Sequence, residues 1–280
     1  MQPTYIGVIA AIVGILVMSR QMTAALLAVV VATIFGAASA INATALGGAS
    51  IQPSVFLLMF LILRILRSPD LLSHHMEGAL RACALFGIFV AYGFVSAYLF
   101  PRLFAYQIEL PPTKVLGTTP IFGVVPLAPS TQNITQSTYL IGSFMFLLAT
   151  AFVARTERRS RLVAMTIIYL SWAHIAFGIL DVVSSAVGLT ILDLVRNANY
   201  AIVDQQIGGF HRIQGTFSET SSYSSYGLVL LIFVTELWLR QIRQRLTGWT
   251  ALTLGVTLFF TTSTSAYVGI AIYSVVLGFR

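Results

Sequence analysis

The side chains able to do chemistry crowd into one stretch, residues 211–227, HRIQGTFSETSSYSSYG. Nine of the eleven residues from Thr216 to Tyr226 carry a hydroxyl, and His211, Arg212 and Glu219 stand in the same run. A guanidinium close to a helix start suits a phosphate or diphosphate, because its planar donor fork and the free N–H groups of the first turn both favour anions. Glu219 is placed to pair with Arg212. Thr216 or Ser218 would cap the helix that follows.

A second group lies upstream. Ser171, His174, Gly178, Asp181 and Ser185 recur at spacings of three or four, which puts them on one face of a helix. At 1.5 Å rise, Asp181 lies about 30 Å along that helix from Arg161, and His174 about 20 Å. Ionisable groups inside membranes are costly and face a bundle interior or a wet cavity. Gly178 then reads as a point of close approach, with His174 and Asp181 as interhelical hydrogen-bonding groups; Asp181 is equally a candidate for binding substrate. A third group is the run Thr261-Thr-Ser-Thr-Ser265, with Ser263 at its centre. Arg196, Asp204 and His211 are weaker candidates.

What must position these groups is a membrane bundle. The chain of 280 residues is 57% hydrophobic and 9% charged, whereas soluble domains are about a quarter charged. Only helices or closed barrels satisfy every backbone group in lipid, and the long unalternating runs read as helices. The fold expected is all-α, a single transmembrane domain of about nine helices. Spans fall near 4–19, 22–41, 54–66, 79–100, 136–154, 162–191, 223–239, 248–262 and 266–279. The alternation leaves twelve basic residues on one side and four on the other, Arg102, Lys114, Arg196 and Arg212. Positive-inside bias makes the twelve cytoplasmic and places the long segments, about 101–135 and 192–222, outside. Most of the net charge of +7 is thus topological.

Several functions lose their support. There is no phosphate-cradling glycine loop, no dinucleotide fingerprint and no metal-ligand spacing, so neither a metal nor a cofactor is expected. The basic residues flank membrane spans, so no nucleic acid is expected as a partner. The single cysteine, Cys83, excludes an internal disulfide.

The stretch Arg212-Ile-Gln-Gly215-Thr-Phe217-Ser-Glu219, opening a membrane helix, resembles the arginine–glycine–phenylalanine signature of the O-antigen ligase and polysaccharide polymerase superfamily. Thr261-Thr-Ser-Thr-Ser-Ala-Tyr-Val-Gly269 stands where that family often shows Thr-x-Ser-Arg before an apolar helix. Gly47-Gly-Ala-Ser-Ile-Gln-Pro53 and Gln132-Asn-Ile-Thr-Gln136 are similar to exopolysaccharide members. The resemblance is loose over most of the chain and closer over 211–269. It implies a multi-pass glycosyltransferase of the bacterial inner membrane. The partner implied is a glycan on undecaprenyl diphosphate, transferred at the outer face to another glycan or to lipid A core, without a metal. It also implies that arginines hold the diphosphate and that the base lies beyond residue 280. The chain would then be the N-terminal portion of a longer protein, inactive alone. Thr264 occupies the position where many members carry arginine, so no second cation is supplied there. Two other classes stay open: a transporter or flippase for a lipid-linked or anionic substrate, and a non-catalytic membrane scaffold.

Overall fold

The structure is a computed structural model that describes residues 2–43, 49–110, 124–199, 206–207 and 210–279. Asp204, Lys114 and the segment 111–123 lie outside the described residues. Nine α-helices occur among those described: α1 Tyr5–Met18, α2 Met22–Ala32, α3 Pro53–Leu66, α4 His74–Leu103, α5 Thr131–Val153, α6 Glu157–Val187, α7 Thr220–Leu239, α8 Gln244–Phe260 and α9 Thr264–Gly278. They fall on the nine expected spans, so the fold is the all-α membrane bundle anticipated. Four of them, α4 to α7, are long and apolar enough to cross a membrane, whereas α1, α2, α3 and α9 are shorter apolar helices.

Helix α6 is the axis. Its Val163 and Leu170 join a core with Leu26, Leu61 and Phe152, while its Ile168 and Ile175 join a second core with Leu230, Val234, Leu254 and Leu258. Large apolar side chains such as Leu85, Ile88 and Val229 are exposed, and Ser171, His174, Asp181, Thr216, Ser224 and Thr261 are buried. This inversion follows from the solvent: lipid tails are as apolar as leucine, so polar groups and close packing hold the helices together.

One expected span is shortened. The run 22–41 is helical only to Ala32, although the residues beyond it stay apolar and buried. The chain then turns and enters a small antiparallel sheet of β1 Gln2–Pro3, β2 Ile41–Ala43 and β3 Ala49–Ile51. Non-helical backbone at such depth persists only where its polar groups find partners in protein, and here they do. Ile34 O accepts from Thr216 Oγ1 at 2.5 Å, and Gly36 O from Gln52 Nε2 at 3.0 Å. Ala37 N–H donates to Thr216 O at 2.9 Å, and Ala37 O accepts from Ala198 N at 3.1 Å. Ser39 N–H donates to Asn197 Oδ1 at 2.8 Å, and Ala40 N–H to Ile51 O at 2.7 Å.

Contacts between loops respect the expected alternation. Thr4, Ser39, Ser50, Tyr139 and Asn197 are linked at the arginine-poor end. At the other end Asp70 accepts from Arg155 Nη2 at 2.7 Å, which ties the α3–α4 turn to the end of α5. That hydrogen bond holds the Asp70 carboxyl below its ordinary value of 3.8. A depressed carboxylate contributes stability above its unfolded pKa and loses it as pH falls through the folded one. Acid titration of Asp70→Asn should therefore begin from a lower melting temperature at neutral pH, with the gap to the parent closing below the ordinary carboxylate range.

Candidate functional site

The polar face of α6 meets α7 through glycine. A Cβ at Gly178 would lie 2.2 Å from Tyr223 Oη, so only glycine admits the ring. Tyr223 Oη donates to His174 O at 3.0 Å, and its ring stacks on His174 with centroids 3.9 Å apart. The imidazole is 1% exposed, and neither ring nitrogen has a hydrogen-bond partner among the described residues. The His174 side chain thus serves by ring stacking, and the interhelical hydrogen bond at this residue is made by its carbonyl. Ser184, and not the expected Ser185, is the buried hydroxyl at the end of the stripe.

Asp181 organises the chain that follows. Its Oδ1 accepts from Arg196 Nη2 at 2.5 Å, and its Oδ2 accepts from the backbone N–H groups of Gln214 at 2.7 Å and Gly215 at 3.0 Å. Arg196 Nη2 also donates to Gly215 O, as does its Nε at 2.9 Å. His211 Nε2 lies 3.4 Å from Asp181 Oδ2. Gly215 has a φ of +55°, a left-handed backbone suited to glycine, which turns the segment back onto α6. The side chains of Asp181 and Arg196 are only 5% and 8% exposed. Their charges are directed at each other and at backbone, so the pair is a clasp that shapes the 211–215 loop. Beside it opens a cavity of about 340 Å³, lined by Asp181, Asp193, Arg196, His211 and Gln214 among others.

Arg212 projects the other way, to the turn between α8 and α9. Its Nη2 donates to Thr262 O at 2.9 Å and its Nε to Thr262 Oγ1 at 3.2 Å. Ser224 donates to Thr261 Oγ1 at 3.0 Å, so α7 and the loop before it grip the same turn. Thr262 has a φ of +52°, held in the left-handed region by these contacts. The turn is thereby placed level with the start of α7, as the sequence suggested, but Ser263 itself is only 2% exposed.

The start of α7 corrects two expectations. Glu219, and not Thr216 or Ser218, occupies the N-cap position, and the helix begins at Thr220. Thr216 is instead spent on Ile34 and Ala37. The Glu219 carboxylate accepts from Ser221 Oγ at 2.5 Å and Ser222 Oγ at 3.1 Å. A carboxylate there compensates the positive end of the helix and repels an anion. The start of α9 differs in its cap residue alone: Ser263 is neutral where Glu219 is anionic, while neither makes a side-chain cap hydrogen bond and neither first turn holds an acid. An anion beside Arg212 would find its helix N–H groups on α9.

Of the six candidates, the structure joins Asp181, Arg196 and His211 around one cavity and sets Arg212 and Ser263 on the 261–263 turn. Glu219 stands between them at the start of α7. A further cavity on the opposite side of α7 is lined by Thr33, Gln52 and Tyr226 among others, and of these Thr33 alone lies outside the stretches singled out from the sequence. Comparison with protein-family models, with curated proteins and with solved structures returns no match.

Proposed function

We propose that this chain is a membrane glycosyltransferase-type protein that transfers or polymerises glycans carried on undecaprenyl diphosphate, at the outer face of the bacterial inner membrane. The observation that carries the reading is the half-buried Arg212, fixed on the 261–262 turn beside the uncapped start of α9. In such a transfer an acceptor hydroxyl attacks the anomeric carbon, the bond from that carbon to the diphosphate oxygen breaks, the hydroxyl's proton passes to a general base or to the departing diphosphate, and negative charge grows on that leaving group. A preorganised cation aimed at that charge stabilises the transition state more than the ground state. His211, on the Asp181 cavity, and Glu219, at the start of α7, are the further candidates for contact with acceptor or donor sugars. Asp181 and Arg196 shape the loop and line the cavity beside it. The charged groups gather at one end of the helices and not at mid-depth, which argues against the transporter reading.

The test is glycan analysis of a strain carrying Arg212→Ala in the full-length protein. Loss of a preorganised donor of this kind typically slows transfer about 10²–10³-fold, so polymer should nearly vanish while the protein remains in the membrane. Arg212→Lys should recover only part of the activity, because lysine keeps the charge but loses the fork. Polymer of unchanged length and amount in Arg212→Ala would overturn the assignment.

A further inference from the structure

The neutral cavity on the side of α7 away from Arg212 has its own chemistry. Ser222 and Tyr226 are four residues apart and share one helix face, whereas Ser224, which binds the Arg212 turn, lies on the opposite face. The cavity holds about 530 Å³, within the range of roughly 300–1,000 Å³ typical of small-molecule sites. Hydroxyls of Ser54, Ser218 and Ser222 and the amide of Gln52 line it, with the rings of Phe217 and Tyr226. None of the described lining residues carries a formal charge.

The lining is also held in place. The Gln52 amide donates to Gly36 O at 3.0 Å, and the Tyr226 hydroxyl lies 2.8 Å from Thr33 Oγ1. The rings of Phe217 and Tyr226 are 5.2 Å apart, tilted by 40°, and both contact the buried His174 ring from behind. A Cβ at Gly36 would fall 2.2 Å from Phe217 Cδ1, so the phenyl ring is seated against bare backbone. Two fixed aromatic rings together with neutral donors and acceptors complement a molecule with C–H faces and hydroxyl edges. A carboxylate here would meet no counter-charge in the described lining, and the Glu219 carboxylate, which accepts from the lining Ser222 at 3.1 Å, would repel it.

We infer that this cavity is a subsite for an uncharged sugar residue of the lipid-linked glycan, separate from the diphosphate contact at Arg212. The choice of a sugar over another polyol rests on the glycosyltransferase reading; the exclusion of anions rests on the uncharged lining and on the Glu219 carboxylate bonded to Ser222. The subsite therefore selects against uronic and sialic acids at the position it binds.

The experiment is saturation-transfer NMR on the full chain in lipid nanodiscs. One set of probes is neutral di- and trisaccharides of gluco, galacto and manno configuration, and another is oligogalacturonates of the same length. Farnesyl diphosphate, which carries no sugar, is the third probe. Neutral sugars should receive saturation and uronates should not. Ser222→Trp, which fills the cavity, should weaken neutral-sugar binding by about tenfold or more, that is by at least 1.4 kcal/mol. Ser54→Trp should do the same by filling the cavity from α3, and it carries the test if Ser222→Trp fails to fold. Absence of neutral-sugar binding, equal binding of uronates, or unchanged binding by a folded variant overturns the subsite. Farnesyl diphosphate binding without sugar binding overturns the subsite and leaves the diphosphate reading standing. Sugar binding without farnesyl diphosphate binding does the reverse.

Discussion

Asp181→Ala is expected to cost about 3–5 kcal/mol, the range for removing one partner of a buried ion pair. The substitution leaves Arg196 charged at 8% exposure without its carboxylate, and it strips the acceptor from the backbone N–H groups of Gln214 and Gly215. Asparagine is not a rescue. Its amide presents one oxygen and one NH₂ to a site where Arg196 and two N–H groups all donate. Thermal unfolding in nanodiscs checks the magnitude, and a double-mutant cycle checks the cause. Arg196→Ala alone should also be costly, while the double variant should cost clearly less than the two singles together. Strictly additive effects would mean that the two side chains act independently, against the clasp described above. Loop order should fall with stability, so proteolysis within 206–217 should rise in each single variant.

The second large effect is expected at Gly7→Ala. A Cβ there would lie 2.0 Å from Ala40 O and 2.8 Å from Ala40 C, which are backbone atoms. Ala40 cannot retreat, because its N–H is held by Ile51 O and its carbonyl by Thr4 N–H. Overpacking typically costs about 1–3 kcal/mol, and contact with a pinned backbone belongs at the top of that range or above it. The sheet of β1, β2 and β3 should loosen, seen as faster proteolysis in 33–52. Gly142→Ala and Gly255→Ala are the controls, since a Cβ at either meets nothing within 4 Å. Helix propensity predicts that both are neutral or slightly stabilising. Equal losses at Gly7 and at the controls would refute the steric account.

Hydropathy located the helices because transfer to lipid depends on composition over about 20 residues, and composition is local. It failed for Thr33–Ser39 for the same reason. An apolar, small-residue run partitions into protein or lipid whether or not it is helical, and only distant partners reveal that the backbone is bonded elsewhere. Gln52, Asn197 and Thr216 are those partners, and nothing in their own neighbourhoods announces it. The stripe on α6 was legible from its spacing, and Gly178 as a contact point was too. The pairing of Asp181 with Arg196 was not, because the two stand fifteen positions apart across the end of α6 and a short 3-10 turn, and the geometry depends on Gly215 turning back. Arg212 was legible as a cation at the right level, but its anchorage on Thr262 required the α8–α9 turn in three dimensions. The cap at Glu219 was misread because a run of hydroxyls offers many equivalent caps, and tertiary bonds had already claimed Thr216.

The early end of α2 has a consequence for the bilayer itself. Eleven residues rise about 16 Å, and the fourteen of α1 and of α3 about 21 Å, against a hydrocarbon layer of about 30 Å. At the other extreme the thirty residues of α4 rise about 45 Å, enough for the layer and both margins. The lipid-facing side chains Ile9, Ile12 and Ile15 of α1 are all more than half exposed, so that face meets acyl chains directly. A segment shorter than the layer is accommodated by local thinning. Lipid beside α1–α3 is therefore expected to form a shallower layer than lipid beside α4.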